Sequence, residues 1–248
     1  LFRILTTLLL PDRGTARLAA HDVVEEYRAI RSIIGYMPGE FSLYQDLTVR
    51  ENLEFFATVF GVQIKDHYEL IEEIYSQLQP FEDRRAGKLS GGMKQKLALC
   101  CALIHKPEVM LLDEPTTGVD PVSRKEFWDI LKSLKDFGIT ILVSTPYMDE
   151  AALCERIALI QEGNLLSVDT PDNTKNAFTR SLYRISSDRD MHTLLQDLRK
   201  YPRTNSAYAF GDAVHYTDKK IGRVENGLSD FLRDHRLEIE RIEPGVED

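Results

Sequence analysis

Two short apolar runs dominate the hydropathy pattern, residues 109–112 (Val, Met, Leu, Leu) and residues 139–144. Runs of this length bounded by polar residues predict strands buried on both faces, as in parallel α/β sheets. Residues 33–37 predict a third strand, running into Pro38, Gly39 and Glu40. Between them, Leu97, Cys100, Cys101 and Ile104 recur at helical spacing within residues 93–105. Thr48 and Glu51 form a capping box that opens a helix to about Phe60, and residues 66–79 continue helical. Asp120 suits the N-cap of a helix with Pro121 at its first position, ended by Gly138 at a C′ position. Near the start, residues 1–10 are helical by pattern, Asp12, Arg13 and Gly14 mark a turn, 15–20 suit a short strand and 23–31 a helix.

Residues 156–161 and 165–169 predict two strands around the turn at Glu162, Gly163 and Asn164. Pro171, Asp172 and Asn173 then mark a boundary, with residues 171–180 as linker. Beyond it, strands at 182–186, 207–210, 214–217 and 237–242 alternate with helices at 191–201 and 228–235. The order β-α-β-β-α-β is that of a ferredoxin-like split unit. The predicted fold class is therefore an α/β domain over residues 1–170, with a helical section at about 45–105, and a small α+β unit over 181–248. The second unit shows no catalytic constellation. His192, His215 and His235 lack metal-ligand spacing and are expected at the surface.

Composition narrows the class. The 248 residues are 43% hydrophobic, enough for a core, and the net charge of −9 argues against a general nucleic-acid surface. No apolar run approaches the roughly 20 residues that cross a bilayer, so any membrane contact is expected through another protein. Cys100 and Cys101 sit on the apolar stripe and Cys154 stands apart, so the thiols read as small core residues rather than metal ligands.

The candidate chemistry sits at two points. Ser90 is a suitable N-cap, and Gly91 and Gly92, lacking Cβ atoms, open the amides at the positive end of the following helix to a polyphosphate. One helix later, Asp113 and Glu114 close the apolar run at 109–112, where the carboxyl ends of parallel strands carry sites. Adjacent acids there suit magnesium binding by the first and water activation by the second.

Residues 89–96 (Leu, Ser, Gly, Gly, Met, Lys, Gln, Lys), 109–114 and 119–120 resemble, in the same order, the signature motif, Walker B strand and D-loop of ABC transporter ATPases. The wording at residues 34–38 and 41–44 further resembles the drug-export, daunorubicin-resistance type. The resemblance covers roughly residues 1–170 and implies the ABC-type P-loop NTPase core. It implies ATP and Mg2+ as cofactors, Asp113 as magnesium ligand and Glu114 as catalytic base. It also implies that Ser90, Gly91, Gly92, Gln95 and Asp120 contact ATP held by a second ABC half. Transmembrane permease subunits are the implied partners, docking in a groove of the helical section where Tyr44 and Phe41 would make contact. The implied location is the cytoplasmic face of the cell membrane, held through the permease.

Three departures from the family pattern stand out. No G-x-x-x-x-G-K-[ST] phosphate loop is found, and the expectation is that Leu1 directly follows that loop in a longer protein. Gly39 occupies the Q-loop position and cannot coordinate metal through a side chain, unless Glu40 substitutes. Pro146 occupies the position of the switch histidine and offers neither a side-chain donor nor a backbone N–H. The family reading is thus an exporter ATPase, and Gly39 and Pro146 point to a half of an asymmetric pair that donates its signature in trans; the rival is a regulatory ABC module that binds nucleotide without turnover.

Overall fold

The computed structural model describes residues 1–40, 43–176, 181–219, 225–232 and 237–242. Packing divides the chain into two compact units, Leu1–Pro146 and Tyr147–Asp248. The division falls earlier than the boundary expected at 171–180, most of which is occupied by the Pro171–Asn176 helix.

In the first unit, Ile34–Met37, Val109–Asp113 and Thr140–Ser144 form a parallel sheet with Val109–Asp113 in the middle. The central run buries Met110, Leu111 and Leu112, as continuous apolar character requires. The Gly91–Leu103 helix packs on this sheet and buries Leu97, Leu99, Cys100, Cys101 and Leu103. Its close approach depends on Gly35, where a Cβ would strike Met110 Sδ and lie 2.5 Å from the Ala102 carbonyl. Leu97 is fully buried, so truncation to alanine there would cost about 2–5 kcal/mol.

The Val49–Phe60 and Tyr68–Leu78 helices complete the helical section. The first carries the expected capping box of Thr48 and Glu51 and closes on Gly61 in the left-handed conformation. The second is preceded by a 3-10 turn, Ile64–His67, so the helix expected from residue 66 starts at Tyr68. After Asp120, the Pro121–Leu134 helix tightens into the 3-10 segment Lys135–Phe137 and ends at Gly138, whose φ is 76°.

Near the start, the expected helix over 1–10 is only Phe2–Leu5. Thr7 turns left-handed (φ 62°), held by Arg31, whose Nε donates to Thr7 Oγ1 at 2.7 Å and whose Nη2 donates to the Thr7 carbonyl at 3.1 Å. The expected strand at 15–20 reduces to Arg17–Leu18, paired antiparallel with His21–Asp22. Asp22 accepts from the amides of Val24 and Glu25 in a turn, which delays the next helix to Tyr27–Ile33.

In the second unit, Ile157–Gln161 and Asn164–Asp169 form a hairpin. The strands Leu182–Ser186, Thr204–Phe210, Ala213–Asp218 and Glu238–Ile242 form an antiparallel sheet in the spatial order fourth, first, third, second. With the Met191–Lys200 and Glu225–Leu232 helices this is the split β-α-β-β-α-β arrangement. Leu194, Leu198, Leu228 and Leu232 pack with Ile185, Val214 and Tyr216 in its core.

His192 is exposed. His215 corrects the expectation of a surface residue: it is 5% exposed and stacks on Phe210 at 4.4 Å between ring centroids. Its strand lies between two others and is buried at every residue, a placement that local alternation does not reveal. His235 and Phe41 lie outside the described residues. Among the described residues, no helix is long and apolar enough to cross a membrane.

Candidate active site

The carboxyl end of the parallel sheet gathers the two acids. The register sets Asp113 opposite Ser144, and the Ser144 hydroxyl donates to Asp113 Oδ1 at 2.5 Å. The next amide, Glu114 N, donates to Ser144 Oγ at 3.0 Å and to the Ser144 carbonyl at 3.1 Å. Glu114 takes a φ of 48°, a conformation that costs a non-glycine residue about 1 kcal/mol or more and clusters at functional sites. Thr117 holds the turn that follows: its N donates to the Glu114 carbonyl at 3.2 Å and its Oγ1 to Glu114 Oε2 at 3.1 Å. The Glu114 carboxylate is thereby exposed but oriented.

Asp113 is half-buried, and its charge joins burial in pushing the Tyr36 phenol pKa up, while Arg3 opposes the shift. Gly39 lies against the same point, for a Cβ there would be 3.1 Å from the Asp113 carbonyl oxygen. Glu40 beside it is exposed, as is Pro146, two residues past Ser144. Among the described residues, no three His, Cys, Asp or Glu side chains group as a metal cage. The donor set still suits Mg2+, which usually takes one or two carboxylates and completes its shell with water and phosphate oxygens.

The second set of candidates lies at the start of the Gly91–Leu103 helix. Ser90 caps it, accepting from Met93 N at 3.4 Å. Ser90 and Gly91 are exposed, Gln95 is half-buried and Gly92 is buried. The space of the absent Gly92 Cβ is taken by Ser123, whose Oγ would lie 2.6 Å away; at Gly91 the nearest atom would be the Gly118 carbonyl, at 3.7 Å. Gly91 is therefore open towards solvent, whereas Gly92 serves packing within the chain. Asp120 caps the neighbouring helix by accepting from the amides of Val122 and Ser123, which hold its carboxyl pKa below the ordinary value.

A cavity of about 420 Å³ lies in the same unit, lined by Met37, Leu43, Phe56, Phe60, Cys101 and His105 among others. His105 Nε2 is 2.9 Å from the Ile34 carbonyl and its ring stacks on Phe60 at 3.7 Å. Tyr44 is half exposed and meets Phe55 edge-on at 4.7 Å.

A family model described as "ABC transporter" matches residues 1–117. A daunorubicin resistance ATP-binding protein of Streptomyces coeruleorubidus is 40% identical over 233 residues, 92% of this chain and 70% of that protein. The chain belongs to the ABC transporter ATP-binding protein family. A "Probable multidrug ABC transporter ATP-binding protein" of Escherichia coli (strain K12) is 42% identical over 224 residues, 89% of this chain but 39% of that protein. A Nod factor export ATP-binding protein of Burkholderia lata is 40% identical over 68% of this chain and 57% of its own length. The chain thus spans about two fifths to three fifths of these two relatives.

The ABC fold itself recurs in solved structures. An ATP-binding subunit of an ABC transporter gives a TM-score of 0.63 at 24% identity, covering 71% of this chain and 75% of the other. A dimeric ATP-binding cassette in a post-hydrolysis state bound to ADP and Pi gives 0.59 at 24% identity, covering 68% and 78%. Three residues of this ABC chain stand beside the predicted ones without having been singled out from sequence: Ser144, Lys96 and Asn52. The contacts of Ser144 and Lys96 join segments that only the fold brings together, while Asn52 ties back to the loop four to eight residues before it.

Proposed function

We propose that this chain is the ATP-binding and hydrolysing subunit of an ABC exporter, paired with a second ABC half and acting mainly as the signature donor. Ser90, Gly91, Gly92, Gln95 and Asp120 would meet ATP held by the other half, Gly92 also keeping the helix start close to its neighbour. Asp113 would hold Mg2+ and Glu114 would orient the attacking water at the chain's own site. Bound Mg2+ would neutralise charge developing on the transferred phosphoryl group. Permease subunits would hold the chain on the cytoplasmic face of the membrane. The cavity between Leu43, Phe56 and Phe60 is the proposed seat for a segment of that permease, its apolar lining suiting an amphipathic helix.

The observation that carries the asymmetric reading is the contrast between the two sets. The helix start at Ser90 is capped and exposed, while Gly39 and Pro146 bring no side-chain donor to the site around Glu114. The same two residues favour the second reading, a nucleotide-binding module without turnover. The test is ATP hydrolysis by the assembled transporter. Ser90→Arg, which puts bulk and charge in the phosphate seat, should abolish most turnover, whereas Glu114→Gln should cost far less. A lost transition-state contact of about 3–4 kcal/mol is a hundredfold or more in rate, so the variants separate cleanly. Equal and complete loss in both would overturn the asymmetry; no hydrolysis by the unmodified assembly would favour the regulatory module.

A further inference from the structure

The signature helix carries a buried charge that the proposed chemistry does not use. Lys96 is 8% exposed, and its Nζ lies 2.6 Å from Glu126 Oε2 and 2.6 Å from Gln77 Oε1. These partners come from the Pro121–Leu134 helix, which begins at Asp120, and from the Tyr68–Leu78 helix of the helical section. A buried ammonium is stable only where its partners are held in place, and removing one partner strands the charge.

One turn towards the N-terminus, Gly92 packs so closely on Ser123 that a Cβ would lie 2.7 Å from Ser123 Cβ. Ser123 N is in turn capped by Asp120 Oδ1 at 3.0 Å. The Gly91–Leu103 and Pro121–Leu134 helices therefore touch at two points, Gly92 with Ser123 and Lys96 with Glu126. Residues four apart on one helix and three apart on the other lie on facing stripes, so two such contacts fix rotation as well as separation.

We infer that Lys96 is a positioning residue that locks the signature start, Ser90 to Gly92, to Asp120, so that both reach the partner's ATP as one rigid piece. The inference rests on the signature-donor reading above. Neither Lys96 nor Glu126 touches nucleotide; they act through the helix pair. Gln77 adds the helical section to the same knot, so a tilt of that section carries Ser90 and Asp120 together.

The test uses the assembled transporter with Lys96→Met, Lys96→Arg, Glu126→Gln and the charge swap Lys96→Glu with Glu126→Lys. Lys96→Met should lower kcat about tenfold with the half-saturating ATP concentration unchanged within twofold. Lys96→Arg should recover most of that loss and the charge swap part of it, which a purely space-filling role would not allow. Should Lys96→Met fail to fold, Glu126→Gln, altered at a half-exposed carboxylate, should still lower kcat at an unchanged melting temperature. Turnover within twofold of the unmodified protein for Lys96→Met, or for a folded Glu126→Gln, overturns the inference. So does a loss that neither Lys96→Arg nor the swap recovers. Ser90→Arg in the same assay separates the two readings: a silent Ser90→Arg takes both down, while an inactive Ser90→Arg beside a silent Lys96→Met removes the coupling alone.

Discussion

The Ser144 hydroxyl donates to Asp113 Oδ1 at 2.5 Å while accepting from Glu114 N at 3.0 Å, so one side chain orients both acids of the candidate site. Ser144→Ala removes both contacts without adding bulk. A lost hydrogen bond to a charged group is worth about 1.5–3 kcal/mol, or roughly ten- to a hundredfold in an equilibrium. With Ser90→Arg also present, so that the remaining turnover comes from this chain's own site, the half-saturating Mg2+ concentration for hydrolysis should rise by about tenfold, with the melting temperature in the absence of Mg2+ little changed. An unchanged Mg2+ response would mean that Asp113 keeps its orientation without Ser144.

Asn52 is fully buried and binds the segment that follows the Gly39 turn. Its Oδ1 accepts from Tyr44 N at 3.1 Å, and its Nδ2 donates to the carbonyls of Tyr44 (3.0 Å), Leu47 (3.3 Å) and Thr48 (2.9 Å). The three carbonyls keep backbone donors in Leu47 N, Ala86 N and Asn52 N, so Asn52→Ala deprives chiefly the Tyr44 amide of its partner and should destabilise the chain by about 1–3 kcal/mol. Asn52→Asp should do at least as much harm, since a carboxylate then faces three carbonyls. Chemical denaturation of the two variants checks the order; an Asn52→Asp variant as stable as the parent would refute it.

What was legible from sequence and what was not follows the range of the interactions. The caps at Thr48, Ser90 and Asp120 span two or three residues and were readable in place. The apolar runs at 109–112 and 139–144 likewise marked strands, but the register that sets Asp113 opposite Ser144 joins residues 31 positions apart and leaves no local trace. The same holds for Lys96, whose partners sit 19 and 30 positions away. The helix expected over 1–10 failed for a tertiary reason, the Arg31 contacts to Thr7, which reward a left-handed residue that local propensity opposes. At Gly92 the motif leaves unseen a packing role, since the space of its missing Cβ is filled by Ser123 of the neighbouring helix.

His105 supplies a pH dependence. Burial pushes its ring pKa down, against the upward pull of the hydrogen bond with the Ile34 carbonyl, and the charge of His67 adds to the fall. A base whose pKa is lower folded than unfolded binds its proton first in the unfolded chain, so its contribution is complete above the ordinary imidazole value of about 6.5. Stability should fall as pH drops from there towards the folded pKa, and this contribution should change no further below it. Melting curves between pH 7.5 and 5 should show a loss that is smaller in His105→Phe, which keeps a ring against Phe60. Equal slopes for the two proteins would assign the loss elsewhere.

Gly39 and Pro146 differ in what restoring the family residue would meet. A Cβ at position 39 would lie 3.1 Å from the Asp113 carbonyl, tighter than ordinary contact, so Gly39→Gln must shift the backbone of the residue proposed to hold Mg2+. Pro146 is exposed beyond the Thr140–Ser144 strand, and a histidine there meets no such obstacle. Pro146→His should therefore raise turnover at the site built on Asp113 and Glu114 by roughly tenfold or more, the scale of one transition-state donor. Gly39→Gln alone should give little gain or a loss. Hydrolysis is measured with Ser90→Arg also present, which silences the partner's site and leaves this chain's own as the source of turnover. If Pro146→His adds nothing in that background while Gly39→Gln restores hydrolysis, the deficit lies in the Q-loop position and the missing histidine is already compensated.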